Sequence, residues 1–542
     1  MPPVEHSRSQ PGAVVTDPFL NANFTLDSSG VAGFFGGDTA VHGMATVNLF
    51  RGRRWGGLYN TPGSLEIAKR YGQLANARVC KGLFPGGTDD PSQLFGLDGK
   101  VGPRFLAARS GSRFEKTGHL AALIARMARR APYESVYKNR GKERITTPAT
   151  VTIIDLPYEP PDTVQPELPY NHSALLAFVP IGASIGACVG CALVADWWSF
   201  SNILLGMFAN GCACFVLGSG RLTFKHHRPA SGAPPGDGIF RGETGVIVVR
   251  GGEGAVNALT RGRFFLQYEA PAESCRTQGK VAENRDGQAE GSQAVAQLPR
   301  TDDSLDGDME KQVGENQAEE EQEAGRIAKE AQERERKARD TDTAPQGGQP
   351  NSFAIGLCSI LLTAQFLVQL LLVPQGVLFG QVMFVCTLAV SWGYNTYLSS
   401  IDREDIQTKI LCKILKLEDK NIRKFEFGTW TAMSIFALLA LQPKDPLPNS
   451  PKILDDLLPN DTEVWAKWKD IMREKMGTSG EWQFTDDDRK LRKQEPTEVY
   501  EKQQCDKAQE LLVALIEDAK AANERFRKEY PDSPRRSATV CE

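Results

Sequence analysis

Cys188 and Cys191 form the one Cys-x-x-Cys pair in the chain, inside the stretch IGASIGACVGCALVADWWSFSNILLGMFANG (residues 181–211). Such a pair can ligate zinc or cycle as a dithiol. A tetrahedral metal site needs two further ligands and a redox dithiol needs a soluble strand-to-helix setting, and neither accompanies it. The cysteines stand one helical turn apart in an apolar run with Gly182, Gly186 and Gly190 at four-residue spacing. They therefore read as small residues of a helix-packing stripe. The six histidines, at positions 6, 42, 119, 172, 226 and 227, show neither ligand nor nucleophile spacing, and His226-His227 beside Arg228 reads as a basic flank. Gly251-Gly252-Glu253-Gly254 resembles a phosphate-binding turn, but no Gly-Lys-Ser/Thr ending follows and Asn257 replaces the third glycine of the dinucleotide pattern. The acids Asp89-Asp90 and Asp486 to Asp488 lie in turn contexts. No catalytic, cofactor-binding or metal-binding residue is assigned, and the balance leans against an enzyme.

The elements that carry these residues are apolar islands in a polar chain. The sequence has 542 residues, 41% apolar and 24% charged, with a net charge of −4. Between Asn171 and Gly220 the only Asp, Glu, Lys or Arg is Asp196, which divides the region into spans of about 174–195 and 203–220. Phe353 to Leu398 carries no charge and divides at Pro374–Gly376 into about 353–373 and 377–398. About 20 apolar residues cross a bilayer as a helix, so regions 171–220 and 351–399 each read as a transmembrane hairpin, with Trp197 and Trp198 in an interfacial aromatic belt. Residues 427–443 are charge-free but short, and read as a fifth span, a re-entrant segment or a buried soluble helix.

Flanking charge sets the expected orientation. Neither hairpin turn carries Lys or Arg, whereas RLTFKHHRP and the run from Arg403 to Lys424 follow the two hairpins. By the positive-inside rule the turns face away from the cytosol and the large segments face it. Residues 1–170 form a Gly-rich, basic, cytosolic region without a signal peptide; the first 150 residues hold 20 Lys/Arg against 11 Asp/Glu. The sequons at Asn23, Asn171 and Asn460 are then expected to stay unmodified. The eleven cysteines suggest no disulfide framework.

Helices are expected over SLEIAKRYGQLANAR, which Ser64 could cap, and over FEKTGHLAALIARMARR, whose Leu120, Leu123, Ile124 and Met127 share a face. The second reads as a basic surface for lipid or partner, or as a half-buried helix with a solvated end. Residues 221–275 read as a small α+β piece with strands at Val246–Val249 and Phe264–Tyr268, and 276–350 as a disordered charged linker. In 400–426, Ile406, Ile410, Ile414 and Leu417 make one stripe and Lys409, Lys413, Lys416 and Lys420 another. That helix is expected to lie on the bilayer or to present a partner surface, the alternative being a soluble helix covering its own domain. Residues 444–542 read as a helical cytosolic region, with Trp465, Trp468 and Met472 on one face and Leu511, Leu512, Leu515, Ile516 and Ala519 on another.

The expected fold is mainly α: a polytopic helical membrane protein with two transmembrane hairpins, a small α+β cytosolic piece and long disordered segments. VADWWSFSNILLGMFANG, PPGDGIF, GGEGAVNALTRGRF and LVPQGVLFGQVMF followed by LAVSWGYNTYLSSIDRE resemble segments of uncharacterised multi-pass membrane proteins of basidiomycete fungi. The resemblance covers about residues 165–270 and 350–445 and implies a fungal integral membrane protein with no assigned activity. The leading functional expectation is a non-enzymatic membrane scaffold or interaction protein whose cytosolic helices bind lipid or partners. The alternatives are a small transporter or channel subunit using the intramembrane polar residues Asn210, Gln365, Gln369 and Gln381, and a membrane-bound enzyme with no site visible in sequence. The expected partners are the bilayer, a second copy through the glycine stripe and a protein on the C-terminal helices; no cofactor and no nucleic acid are expected.

Overall fold

Two apolar β-branched runs organise the soluble part. In the computed structural model, Ala149–Leu156 (ATVTIIDL) and Gly245–Gly251 (GVIVVRG) pair in parallel, with Val151 opposite Val246 and Ile153 opposite Val248. Near-continuous apolar strands of this kind are buried on both faces. The structure describes residues 14–19, 36–75, 78–85, 90–137, 146, 148–242, 244–268, 352–442, 449–477, 481–491 and 499–531. The expected linker at 276–350, the Asn23 sequon and Asp89 lie outside them. The elements below belong to the unit formed by residues 1–266 and 352–542.

The strands are β1 (Arg104–Ala107), β2 (Arg113–Phe114), β3 (Ser135–Tyr137), β4 (Ala149–Leu156), β5 (Thr163–Val164), β6 (Arg221–Lys225), β7 (Gly238–Arg241), β8 (Gly245–Gly251), β9 (Arg263–Gln267) and β10 (Ile422–Phe427). Seven form a mixed sheet in the order β2-β1-β7-β8-β4-β10-β3, and β5-β6-β9 form a second. The strands expected at 246–249 and 264–268 are present, but in separate sheets. The segment 221–275 is not a self-contained piece, because β8 pairs with β4 and the sheet draws strands from before and after the apolar islands.

The longer helices are α1 (Gly37–Met44), α2 (Ser64–Gly72), α3 (His119–Arg130), α4 (Phe178–Leu193), α5 (Trp197–Leu217), α6 (Glu253–Thr260), α7 (Ser352–Leu372), α8 (Leu378–Ser400), α9 (Arg403–Ile414), α10 (Trp430–Leu441), α11 (Ser450–Leu457), α12 (Glu463–Met476) and α13 (Val499–Glu529). The protein is mostly helical with a sheet part. α2 starts at the expected Ser64, but its N-cap is Gly63 at φ 72° and the Ser64 hydroxyl is buried without a partner.

α10 settles the alternatives for 427–443. It is 12 residues long, every residue after Trp430 is buried, and it packs between β4, β8 and β10 on one side and α13 on the other. It is a core helix and neither a fifth span nor a re-entrant segment. Thr429 caps it, Oγ1 accepting from Ala432 N at 3.2 Å. The apolar stripes of α12 and α13, Trp468, Met472, Leu512, Leu515, Ile516 and Ala519, belong to the same core. Of the two readings open to these faces, core or partner surface, the core one describes them: α13 packs on α10, and α12 packs on α13 and α11.

Among the described residues, three helices are long and apolar enough to cross a membrane: Ser173–Leu193, Trp197–Leu217 and Phe353–Gln375. α8, at 23 residues, is as long as the third of these, but Gln381, Thr387, Ser391 and Asn395 dilute its apolar character. α4 packs on α5, α7 runs along α5, and α8 runs along α4. α7 and α8, joined by Val373–Gly376, make at most a marginal contact with each other. The expected second hairpin is thus splayed. α2 packs along α7 and α1 along α8, so the N-terminal segment occupies the gap.

Candidate functional site

The chain from Arg53 to Gly63 enters the space between the four long helices, held largely by side chains the sequence marked as polar and intramembrane. Asn210 Nδ2 donates to Gly57 O at 2.7 Å and to Tyr59 O at 3.3 Å. Asn60 N donates to Ser184 Oγ at 3.1 Å, Asn60 Nδ2 to Thr387 Oγ1 at 3.0 Å, and Gln369 Nε2 to Asn60 Oδ1 at 3.3 Å. Asn60 thereby touches α4, α7 and α8, and it rests against Gly206 of α5, where a Cβ would collide with its amide. Gly206 lies 11 residues before Leu217, about 16 Å along the helix at 1.5 Å per residue. Irregular backbone buried inside a helical bundle needs protein partners for its polar groups, and these amides supply them.

Polarity in the bundle is inverted relative to a soluble one. Asn60, Asn202, Asn210, Gln365 and Gln369 are fully buried, while Phe178 and Leu371 are 67% and 70% exposed. Leu357, Phe208 and Val189 are also exposed. A contiguous outer surface of this kind fits an apolar solvent. Arg53 is buried at the end of the bundle nearest the sheet. Its Nη1 donates to Gly56 O at 3.1 Å and its guanidinium lies 5.3 Å from the Tyr394 ring centroid. At the opposite, turn end, Asp196 joins the two helix pairs. Its Oδ1 accepts from Ser199 N and its Oδ2 from Val377 N, each at 3.1 Å. Gln381 Nε2 closes the second turn on Val373 O and Gly376 O at 3.2 and 3.1 Å. Of the four amides expected to line a path, Asn210, Gln369 and Gln381 donate to this chain, and only Gln365 has both polar atoms buried without a partner.

The Cys-x-x-Cys pair faces inward with Ala187, Ile203, Phe384 and Leu388. Both thiols are buried in this apolar cluster. The glycine stripe faces the other way. A Cβ on Gly182 or Gly186 would meet nothing within 4 Å, and one on Gly190 only Phe379 at 3.6 Å. The small residues that pack within this chain are Ser184, Ala187, Cys188 and Cys191.

The lysine stripe is divided. Lys409 and Lys413 are exposed on α9, but the helix stops at Ile414 and Lys416 adopts φ 51°. Lys416 lies 3.8 Å from the Tyr158 ring centroid, and Lys420 pairs with Glu418 at 2.6 Å. The apolar face of α9 (Ile406, Ile410 and Ile414) is buried and the helix packs on α3. The soluble-helix alternative describes this element, and the same contact buries Leu120, Leu123 and Ile124 of α3.

Where α9 starts, loop 95–100, α1 and α2 enclose a polar cleft of about 840 Å³, with a smaller lobe of about 440 Å³ beside it. Buried His119 organises its floor. Its Nε2 donates to Gln407 Oε1 at 2.6 Å, its Nδ1 accepts from Lys100 N at 3.4 Å, and Gln407 Nε2 donates to Gly96 O at 2.9 Å. Asp402 caps α9 through Glu404 N and Asp405 N. Arg126 pairs with Asp402 and Glu404, Arg130 with Asp405, and Lys100 with Glu404. Burial pushes the Asp402 and Glu404 carboxyls up, but Arg126 acting on both and Lys100 acting on Glu404 more than reverse it and leave both below their ordinary values. Arg403, between those acids in sequence, pairs with no carboxylate among the described residues. Its Nη1 donates to Phe95 O and its Nη2 lies near His42 Nδ1, both at 3.3 Å. Sequence reading missed Asn60, Arg70, His42 and Arg403, which have no motif and converge from distant segments.

No family model, curated protein or solved structure matches this chain. The functional reading rests on its own geometry.

Proposed function

We propose that the chain is an integral membrane protein in which a re-entrant N-terminal segment locks a mixed α/β body onto a transmembrane bundle, and that it acts as a non-enzymatic binding or scaffold protein at the membrane surface. The use of the buried amides carries this reading. Asn210 and Gln369 are spent on holding residues 57–60, and Gln381 on closing a turn, so they anchor protein rather than line a passage. The body is placed in the cytosol, with the turns at Asp196 and Pro374 across the membrane, on the charge asymmetry of the flanks. The unfilled outer face of Gly182 and Gly186 is where a second copy would pack. With the apolar faces of α12 and α13 covered, a protein partner would meet their solvated sides.

Purified chain in proteoliposomes tests the reading. It should resist alkaline extraction and add no solute leak over empty vesicles. A transporter is favoured by one observation, the fully buried and unpartnered amides of Asn202 and Gln365. A saturable leak lost on Gln365→Leu would replace the scaffold reading with that one.

A further inference from the structure

We infer that the cleft between α1, α2 and the start of α9 binds a phosphate-class oxyanion, with Arg70 and Arg403 as its cationic ligands. The inference deepens the binding-protein reading above and rests on it for the cleft's place at the membrane surface. The acids around the cleft are mostly committed: Glu66 to Lys69, and Asp402, Glu404 and Asp405 to Arg126, Arg130 and Lys100. Arg403 lies among them yet makes only the carbonyl and imidazole contacts already described. Arg70 lines both lobes, and no hydrogen bond or ion pair joins it to any described residue. Two guanidiniums with no carboxylate partner among the described residues thus line one cavity of ligand size, and guanidinium geometry suits the planar, bidentate recognition of phosphate or carboxylate.

The rest of the lining favours a small ester over a bare polyanion. Asp98 and Asp38 are the lining carboxylates without an ion pair among the described residues, and they would repel a highly charged ligand while accepting hydrogen bonds from hydroxyl or amine groups. Gln93 adds a neutral amide to both lobes. Ser399 and Ser400, the last residues of α8, form part of the wall, so the cleft opens where a helix in the proposed bundle would leave the bilayer. A lipid headgroup and a soluble phosphate ester are the two sources of this chemistry.

The experiment uses the full chain in detergent micelles at low ionic strength. Inorganic phosphate and glycerol phosphate are titrated calorimetrically, and phospholipid retained through purification is read by native mass spectrometry. Arg70→Ala removes an exposed side chain, Arg403→Lys keeps the charge but loses the fork, and Lys452→Ala, at an exposed lysine of α11 outside the cleft lining, is the control. Phosphate affinity reduced at least fivefold by Arg70→Ala and Arg403→Lys, and unchanged by Lys452→Ala, would establish a site for a soluble ester. No phosphate titration, with phospholipid adducts present in wild type and in Lys452→Ala but lost in Arg70→Ala, would establish a headgroup site. Absence of both ligands, or either bound equally by wild type and Arg70→Ala, overturns the proposal. Alkaline extraction from membranes would sink the membrane reading alone, since the soluble-ester result does not depend on it.

Discussion

At Asn210 a single amide satisfies two carbonyls in a water-poor setting, and buried polar groups deprived of partners cost about 1–3 kcal/mol each. Asn210→Leu is therefore expected to lower the unfolding temperature in micelles by several degrees, and to do so more than Cys212→Leu on the same helix. Asp402 and Glu404 give a second expectation at this scale. Their folded pKa values lie below the ordinary 3.8 and 4.5, so the stability they contribute is present above about pH 5 and is lost as pH falls through the lowered values. Thermal unfolding followed from pH 7 to 3 should show a drop below about pH 4 that Glu404→Gln makes shallower. A pH profile identical for wild type and Glu404→Gln would show that the Arg126 cluster carries no such linkage.

At the scale of elements, the glycines of α4 and α5 separate two kinds of helix face. Gly206 sits against Asn60, so Gly206→Val should expel the re-entrant segment, opening residues 57–60 to proteolysis in the micellar protein. Gly186→Val fills open space and should leave monomer unfolding unchanged. A loss of cross-linked dimer in that variant would identify the stripe as a contact between copies. Glycine periodicity marked α4 as a packing element, yet it pointed to the Gly182 stripe and the structure uses its neighbours. Four-residue spacing defines a face but not what lies opposite it. In α10 the ambiguity was one of length: 17 uncharged residues suit a thin span or a core helix equally, and only the flanking strand β10 and the long cover α13 separate them. Phe436 touches Phe425, Phe427 and Phe526, so Phe436→Ala should destabilise the body by about 3–5 kcal/mol, read by denaturant unfolding.

For the whole molecule, residues 14–19 bear on sidedness. Val14 N and Val15 N donate to Leu193 O at 2.9 and 3.1 Å, and Phe19 lies 6.3 Å from Phe379, all at the turn end of the bundle. Gly36, by contrast, abuts Trp392 and Gly43 abuts Asn395, toward the end that meets the sheet. In sealed vesicles, Thr16→Cys should react with an impermeant maleimide from the same side as Trp197→Cys and from the opposite side to Lys416→Cys. Labelling of Thr16→Cys together with Lys416→Cys would instead return residues 14–19 to the side expected from charge.

The sequence by itself determined which residues leave water. Charge-free length and strand patterning are local properties, and they located three of the apolar helices, the strands β8 and β9 and the amphipathic faces of α3, α9, α12 and α13, but not β4, the parallel partner of β8. Tertiary structure alone decided what those faces meet. α9 and α3 bury their stripes on each other rather than in lipid, α7 and α8 splay around residues 37–72, and Asn60 finds Asn210's helix, Gln369 and Thr387 across more than 140, 300 and 320 residues of chain. Local periodicity reports the free energy of leaving water but carries no information on the partner that replaces it. The cleft of Arg70 and Arg403 has the same origin, since a charge becomes a binding group only when folding leaves it without a counterion.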